Sequence, residues 1–309
     1  MTEPKTAATT TTTPVRTPAR VARTATRKGR KKTFRGARQI KHVVLLVGAL
    51  VMLYPLLWLL KSTVTPEEDI LRSFSLVPSG FTGDNFTEGW ASGAAGGFPS
   101  YIVNSLIVVV GCVVGNLVSC SLAAYAFARL EFRLKNTMFA LMLAGIMLPY
   151  HVIAVPQYVE FSEAGLIGTF WPLILPKLLA TDAFFIFLMV QFLRGLPKEL
   201  DEAAALDGAG PLRTFVSVIL PLMRPALITT TIFTFIWNWN DFFSPLIYLT
   251  DPTQYTVPIG LNSLVSSESG AGLGPLFAMS VVSLVPVVAF FIFTQRYIIR
   301  GIATTGLKG

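Results

Sequence analysis

The chain contains 309 residues, of which 52% are hydrophobic and only 14% are charged. Ordinary soluble domains carry about 25% charged residues, so this composition excludes a typical soluble domain and predicts an integral membrane protein. The formal net charge is +8, and the excess lies at the amino terminus, where residues 1–41 hold twelve of the 25 Lys and Arg residues and a single acid, Glu3.

Residues 1–41 are predicted to form a separate, disordered basic tail. They contain a Thr run from 9 to 13, several prolines and almost no large apolar residues, so the segment has too little apolar surface to bury. A nucleic-acid-binding arm would share this composition. Because the tail leads directly into an apolar run, we assign it to the cytoplasmic membrane surface and predict no nucleic-acid partner. There it either contacts anionic lipid or only orients the first span.

Residues 42–309 are predicted to form an all-α membrane domain with six transmembrane helices. A helix needs about 20 apolar residues to cross the bilayer core. Six stretches approach or exceed that length, at about 43–60, 102–127, 137–159, 170–193, 225–248 and 275–295. The first stretch is long and has no evident small-residue cleavage site after it, so we expect it to be retained rather than removed as a signal peptide.

The distribution of positive charge predicts the orientation of these spans. Six spans place both termini on one side, and 22 of the 25 Lys and Arg residues fall on that side. Only Lys61 and Arg72 fall opposite, and Lys177 lies inside a span. By the positive-inside rule, both termini are cytoplasmic.

The segment between the first two spans, residues 61–101, is Gly-rich and acidic and is predicted to form an irregular external cap. Its sequence Asn85-Phe86-Thr87 matches a glycosylation sequon, which is short enough to arise by chance. We expect no modification there.

The second span carries a stripe of small residues at every fourth position: Gly111, Gly115, Ser119 and Ala123. Such stripes permit close contact between helices, so this one predicts packing within the chain or between subunits. Two cysteines, Cys112 and Cys120, lie about 12 Å apart along the same helix at ~1.5 Å per residue. That separation is too large for a disulfide.

Prolines punctuate the spans, and each removes a backbone donor and favours a kink or break; they are Pro55, Pro149, Pro156, Pro172, Pro176 and Pro286. Broken helices are tolerated at membrane depth where they line a cavity.

Several polar residues within the spans are candidates for a translocation path. Charged residues at membrane depth are costly and usually face a cavity or a partner, which selects Lys177, Asp182 and Asp241. Trp237 and Asn240 add an aromatic face and an amide suited to sugar C–H groups and hydroxyls. Trp239 is a further aromatic candidate in the same run. The alternatives are structural packing and an aromatic belt at the outer interface.

A polar, Ala-rich and Gly-broken segment, about 194–224, interrupts the apolar sequence. Pro197 favours a helix start, and residues 201–206 are good helix formers. Gly208 and Gly210 free the backbone to turn, and Pro211 can open a second helix. The spacing predicts a cytoplasmic helix–turn–helix whose small alanines fit a groove and whose Glu202 meets a basic partner. The alternative is an ordinary connector.

The sequence contains no G-x-x-x-x-G-K-[ST] phosphate-binding loop, and neither His42 nor His151 has a Cys or His cluster near it. We therefore predict no catalytic residues, no metal site and no cofactor in this chain. Any ATP hydrolysis must occur in a partner chain. The protein is predicted to be a transport component rather than an enzyme.

The polar segment resembles the EAA loop of the membrane permeases of ATP-binding-cassette importers. The resemblance rests on Glu202-Ala203-Ala204, on Gly208 six residues after the Glu, and on Val218 and Leu220-Pro221. Further motifs resemble the maltose-type carbohydrate permeases: WNDFFSPL at 239–246, YTVP at 255–258, QR at 295–296 and GLKG at 306–309. The departures are Val218 in place of the usual Ile, Leu307 near a usual Val, and the additional tail.

The resemblance implies a bacterial multi-pass cell-membrane protein with a permease domain at 42–309. It implies that the loop inserts into a cleft on an ATPase, through the candidate coupling residues Glu202, Ala203, Ala204, Asp207 and Gly208. The implied partners are a second permease that completes a heterodimer, two ATP-binding ATPase subunits and an external sugar-binding protein. The implied function is carbohydrate import; the sequence does not identify the sugar.

Two other functions remain open at this point. A six-span channel or ion-coupled carrier could work alone, although the chain shows no convincing internal repeat of the kind such carriers contain. A membrane anchor or sensor could use the loop only to recruit a partner.

Overall fold

The computed structural model describes residue 2 and residues 35–72, 74–94, 96–265 and 272–305, without the side chains of 35–39 and 298–305. Most of the predicted tail and the motif at 306–309 lie outside the described residues. Within these ranges the protein is helical and contains no strand. Contacts divide the chain into two units, Met1–Val51 and Met52–Gly309.

The helices follow one another through short connections. In chain order they are α1 (Arg35–Thr63), α2 (Glu67–Ile70), α3 (Asp84–Ala91), α4 (Phe98–Arg129), α5 (Lys135–Ile146), α6 (Tyr150–Glu163), α7 (Trp171–Leu178), α8 (Ala183–Arg194), α9 (Glu199–Leu206), α10 (Pro211–Thr214), a π-helical turn (Phe215–Ile219), α11 (Leu220–Leu222), α12 (Arg224–Trp239), α13 (Phe243–Tyr248), a 3-10 turn (Pro252–Gln254), α14 (Val257–Val265) and α15 (Leu273–Thr305).

Among the described residues, four helical segments are long and apolar enough to cross a membrane: Ile40–Thr63, Phe98–Arg129, Trp171–Arg194 and Leu273–Tyr297. Two further pairs of helices pass the same criterion together but are sharply bent. The pair α5 and α6 is bent by 104°, and the pair Pro211–Leu222 and α12 is bent by 75°. The architecture therefore contains between four and six candidate spans.

Two predicted spans are interrupted in the structure. The predicted third span, 137–159, is interrupted between α5 and α6, because Leu148 precedes Pro149 and a residue before proline avoids helical geometry. The predicted fifth span, 225–248, is interrupted after Trp239, where α12 ends and α13 starts separately. Helix α1 is described from Arg35 to Thr63, and the limit of the basic tail at residue 41 stays a prediction.

Helix α4 lies at the centre of the second unit and packs against α7, α8 and α12. Its small-residue stripe faces α7. A Cβ atom at Gly115 would lie 3.1 Å from the backbone of Lys177 and Leu178, and the Ser119 hydroxyl donates to the Lys177 carbonyl at 2.6 Å. The packing interpretation of this stripe is therefore confirmed, within the chain.

The two cysteines and the asparagine of the sequon are all buried. Cys112 and Cys120 are both buried and free, which confirms that they form no disulfide. Asn85 is also buried, and its side-chain amide donates to the carbonyls of Thr63 and Thr65 at 3.0 and 2.9 Å. Because that amide nitrogen is already engaged, Asn85 ties α3 to the end of α1 and is not available for modification.

Candidate functional site

A polar cavity of about 280 Å³ lies among α4, α6, α7, α12 and α13. It is next to two breaks between helices, one between α7 and α8 and one between α12 and α13. Three charged residues line it, Lys177, Asp182 and Asp241, together with polar and apolar neighbours. The remaining lining residues are Val108, Tyr150, Ile153, Gln157, Pro172, Leu173, Pro176, Thr181, Asn238, Ser244 and Pro245. The structure thus brings together all three charged residues that the sequence selected.

The break between α7 and α8 forms one wall of the cavity. Helix α7 ends at Leu178, two residues after Pro176. Ala180 adopts a positive φ of 57°, and the Thr181 hydroxyl donates to the Pro176 carbonyl at 2.8 Å. This turn brings Lys177 back onto Asp182. The Lys177 amine donates to both carboxylate oxygens of Asp182, at 2.9 and 3.0 Å.

A buried amide joins this ion pair to two other helices. The side-chain amide of Asn116 on α4 donates to the Asp182 carboxylate at 2.7 Å and to the Thr234 hydroxyl of α12 at 3.1 Å. Asn116 is fully buried. A desolvated charge is tolerated only when it is paired and hydrogen-bonded, so this network explains how charges persist here.

The break between α12 and α13 forms another wall. The Asp241 carboxylate accepts from the backbone N–H of Ser244, in the first turn of α13, at 3.2 Å. The Ser244 hydroxyl in turn lies 3.0 Å from the Tyr150 hydroxyl of α6. Because Lys177 is matched by Asp182, Asp241 leaves the cavity with one surplus negative charge.

The other two path candidates lie elsewhere. Asn240 is exposed, does not line the cavity, and donates its amide to the Ile236 carbonyl at 2.8 Å. Trp237 is half-exposed and lines a neighbouring cavity of about 480 Å³, which shares Tyr150 and Asp182 with the first.

Helix geometry explains why neighbouring residues of this run differ. The cavity receives Asn238 rather than Asn240, because α12 ends at Trp239 and Asn240 no longer follows the helical periodicity that places Asn238. The sequence by itself did not distinguish these two amides. Trp239 does not line the cavity either: it is 3% exposed and stacks on Phe235 at 5.8 Å between ring centroids.

The polar segment folds into an exposed helix–turn–helix, here called the α9–α11 loop and comprising residues 199–222. Its first arm is α9, and its second arm is α10, the π-helical turn and α11. Gly208 reverses the chain between the arms with a φ of +78°, a value that residues with a Cβ rarely adopt. Gly210 has an ordinary φ of −73°.

The proposed coupling residues occupy the outer part of this loop, with one exception. Glu202, Ala203, Asp207 and Gly208 are exposed. Ala204 is only 8% exposed and packs within this chain, so its small size serves the contact of α9 with its own protein.

Two leucines near the turn were missed by sequence reasoning. Leu206 is 91% exposed and Leu212 is 68% exposed, one on each side of Gly208. Isolated exposed leucines are common on protein surfaces, but a pair on either side of a turn gives the loop apolar contacts beside its charges. The signal available in the sequence was an apolar residue on each side of a glycine turn.

Within the described part of the chain, no group of three His, Cys, Asp or Glu side chains could hold a metal ion.

Residues 115–303 match the family described as the binding-protein-dependent transport system inner membrane component. The chain belongs to this family. The matched region contains most of the cavity lining and the whole α9–α11 loop. The protein is therefore a membrane permease and a transport component rather than an enzyme, and several of its helices have the length and apolarity of membrane spans.

Named relatives of this permease cover most of the chain. The probable ABC transporter permease protein YurM of Bacillus subtilis is 34% identical over 91% of this chain and 92% of its own. The arabinooligosaccharides transport system permease protein AraQ of Halalkalibacterium halodurans is 35% identical over 84% of this chain and 93% of its own. The diacetylchitobiose uptake system permease protein NgcG of Streptomyces coelicolor is 33% identical over 84% of this chain and 85% of its own.

A solved structure has the same fold as this permease. It is a bacterial ABC transporter involved in the import of the acidic polysaccharide alginate, and it superposes with a TM-score of 0.77 over 86% of this chain and 98% of the other. At 21% identity, this likeness concerns the fold alone.

Proposed function

We propose that this permease is one of two six-span membrane subunits of an ATP-driven carbohydrate importer in a bacterial cell membrane. The observation that carries the proposal is the exposed α9–α11 loop, with its glycine reversal, in a chain whose long helices have membrane length. Two relatives named for the uptake of arabinooligosaccharides and of diacetylchitobiose support the substrate class. Family membership favours this function over a stand-alone channel or ion-coupled carrier, and over an anchor or sensor.

In this proposal α5 and α6 together form one span, and α12 with α13 forms another, while the second arm of the α9–α11 loop stays outside the membrane; this gives six spans. Both termini and the α9–α11 loop then lie in the cytoplasm. The orientation is supported by the positive charge, since 22 of the 25 Lys and Arg residues fall on the side of the termini. A cytoplasmic loop is accessible to an ATPase, whereas an external loop would not be.

The α9–α11 loop is the element that we assign to ATPase docking. Glu202 and Asp207 supply charge for basic groups at the rim of a cleft, while Leu206 and Leu212 supply apolar contacts inside it. Gly208 allows the two arms to reverse tightly enough to enter. ATP is bound and hydrolysed by two partner subunits, and this chain contributes no cofactor site of its own.

The polar cavity is the part of the path that we assign to this subunit. Amide and hydroxyl groups of Gln157, Asn238 and Thr181 can exchange hydrogen bonds with sugar hydroxyls, and Trp237 in the neighbouring cavity can pack against sugar C–H faces. A second permease completes the path as a heterodimer, and an external binding protein delivers the sugar. Transport then follows from ATP-dependent alternation between two packings of the spans.

Copurification of the complex tests this function, with Gly208→Ala and Gly210→Ala as a matched pair. We expect the wild-type chain to be recovered with an ATPase and a second permease, and to take up a labelled oligosaccharide only with ATP. Gly208→Ala forces a Cβ into left-handed geometry at a cost of about 1–2 kcal/mol, which corresponds to roughly a 5- to 30-fold loss of docked complex. Gly208→Pro should abolish docking, because it also removes the N–H that donates to the Ala205 carbonyl at 3.0 Å.

Gly210→Ala is the control. Its φ is ordinary, and a Cβ there meets nothing within 4 Å, so docking and uptake should match the wild type. A solitary oligomer that transports without an ATPase, or normal docking in Gly208→Pro, would contradict the proposed function.

A further inference from the structure

Arg129 is the last residue of α4, and its side chain is inserted beneath the α9–α11 loop. The side chain is only 5% exposed, and its Nε lies 3.2 Å from an Asp201 carboxylate oxygen on α9. Arg is rarely this buried unless it is paired. The contact is therefore a largely buried ion pair rather than a surface one, and it acts through charge, because neither the Arg129 Nε nor either carboxylate oxygen of Asp201 has a hydrogen-bond partner among the described residues.

The same guanidinium also holds the chain that leads into the loop. One of its terminal nitrogens donates to the Leu196 carbonyl at 3.0 Å and lies 3.4 Å from the Pro197 carbonyl. Because the guanidinium is planar and carries several donors in a fixed fork, a single side chain fixes both the connection from α8 and the first arm of the loop.

The second arm of the loop meets α4 one turn earlier. The ring of Tyr125 lies 5.1 Å from the ring of Phe215 between centroids, and both side chains are buried. Phe215 opens the π-helical turn, a geometry often found at functional sites. The end of α4 is thus in contact with both arms of a loop from which it is distant in sequence.

Helix α4 links this contact to the polar cavity. Between Asn116 and Arg129 it contains no glycine or proline, the residues at which sharp kinks usually occur. The two residues are about 20 Å apart along the axis at ~1.5 Å per residue. Asn116 is the residue whose amide binds Asp182 in the cavity network, so one unbroken helix carries both contacts.

We propose that Arg129 and Asp201 form a clamp that makes the α9–α11 loop and α4 move together. Movement that an ATPase imposes on the loop is thereby transmitted along α4 to the cavity. The clamp rests on the proposed function of the loop as the coupling element. Arg129 and Asp201 are positioning residues, since neither lines the cavity nor stands on the outer surface assigned to the ATPase.

The experiment measures coupling by the reactivity of a cysteine in the cavity. Asp241→Cys is introduced with Cys112 and Cys120 replaced, in the complex with the ATPase and second permease, and is treated with a small polar methanethiosulfonate reagent. The rate is compared between the nucleotide-free and the ATP-trapped complex. Arg129→Gln, Asp201→Asn and the exchange Arg129→Asp with Asp201→Arg are then added in turn.

We expect both single variants to assemble and to hydrolyse ATP. The nucleotide-dependent change in the reactivity of the cavity cysteine should fall about ten-fold, which lies within the roughly 5- to 150-fold changes that typical coupling free energies produce. The exchange variant should recover part of the change, because it restores the ion pair but not the bonds to the Leu196 and Pro197 carbonyls. A residue that only stabilised the fold would lower both the change and the yield. Arg194→Gln is the matched control, since Arg194 ends α8 and contacts Phe139 rather than the loop.

The outcomes separate the clamp from the function on which it rests. If the wild-type complex shows no nucleotide-dependent change, the proposed coupling function fails. If the wild-type complex shows the change and both single variants retain it, only the clamp is overturned. Loss of the complex in both single variants without recovery in the exchange variant would also overturn it, because the pair would then act in assembly.

Discussion

At the scale of residues, the cavity combines charges that satisfy one another with polar groups that remain available. Lys177 binds both oxygens of Asp182, and Asn116 binds the same carboxylate from α4. Removing one partner of such a pair leaves an uncompensated charge, which costs more than removing both. The ion pair is therefore suited to hold the α7–α8 break in place, while Asp241 and Asn238 face the open part of the cavity.

This arrangement predicts a sharp contrast between two neighbouring positions. With Cys112 and Cys120 replaced, Asp241→Cys should react rapidly with a small polar thiol reagent, because Asp241 lines the cavity. Trp239→Cys should react slowly, because Trp239 is 3% exposed and packed against Phe235. Labelling rates in the assembled complex give the measurement.

The state of the complex provides the control for that contrast. Labelling of Asp241→Cys should differ between resting and ATP-trapped complexes, since each packing opens the cavity to one side. Equal labelling in the two states, with normal uptake by Asp241→Ala, would remove Asp241 from the path.

At the scale of elements, glycines permit the close approach of α4 and α7. A Cβ at Gly115 would press on the backbone of Lys177 and Leu178 at 3.1 Å, which cannot rotate away. A Cβ at Gly111 would meet the Ile174 side chain at 2.7 Å, and that side chain can adopt another rotamer. The two positions of one stripe therefore differ in how much substitution they tolerate.

We expect Gly115→Val to destabilise the permease by about 1–3 kcal/mol, the usual cost of overpacking, and to disturb the cavity because Lys177 must shift. Gly111→Ala should cost less. Gly145→Ala on α5 is the control, since a Cβ there meets nothing within 4 Å. Thermal unfolding in detergent measures the order of stability of these variants. A Gly145→Ala variant as unstable as Gly115→Val would show that the α4–α7 contact is not the cause of the loss of stability.

At the scale of the whole molecule, we expect the orientation in the membrane to depend on positive charge rather than on a particular contact. Deleting residues 2–30 leaves Lys31, Lys32, Arg35, Arg38 and Lys41 before the apolar part of the first span, and these charges suffice for the positive-inside rule. Uptake should stay within about two-fold of the wild type, because a few flanking charges set orientation.

Protease accessibility of the α9–α11 loop measures the topology of this deletion variant, and uptake measures its function. The matched comparison replaces all five remaining charges by Gln in the deleted chain, and it should lower the fraction of correctly inserted protein; these charges are Lys31, Lys32, Arg35, Arg38 and Lys41. Correct insertion with loss of assembly in the simple deletion would show that the tail binds a partner subunit.

The sequence by itself determined the class, the local elements and the family of this protein. Apolar stretches of membrane length, the glycine at Gly208 and the motif around Glu202 are local patterns, and local patterns specify helices, turns and short motifs. They also selected Lys177, Asp182 and Asp241, because charge at membrane depth is costly wherever it occurs.

Only the tertiary structure decided which residues meet. Asn116 and Asp182 are 66 positions apart and Arg129 and Asp201 are 72 apart, and no periodicity relates members of such pairs. The helix breaks after Leu178 and Trp239 rotate neighbouring residues to different faces, so that Asn238 lines the cavity and Asn240 does not. Contacts of this kind depend on how whole helices pack, and packing is set by surfaces that come together only in the folded chain.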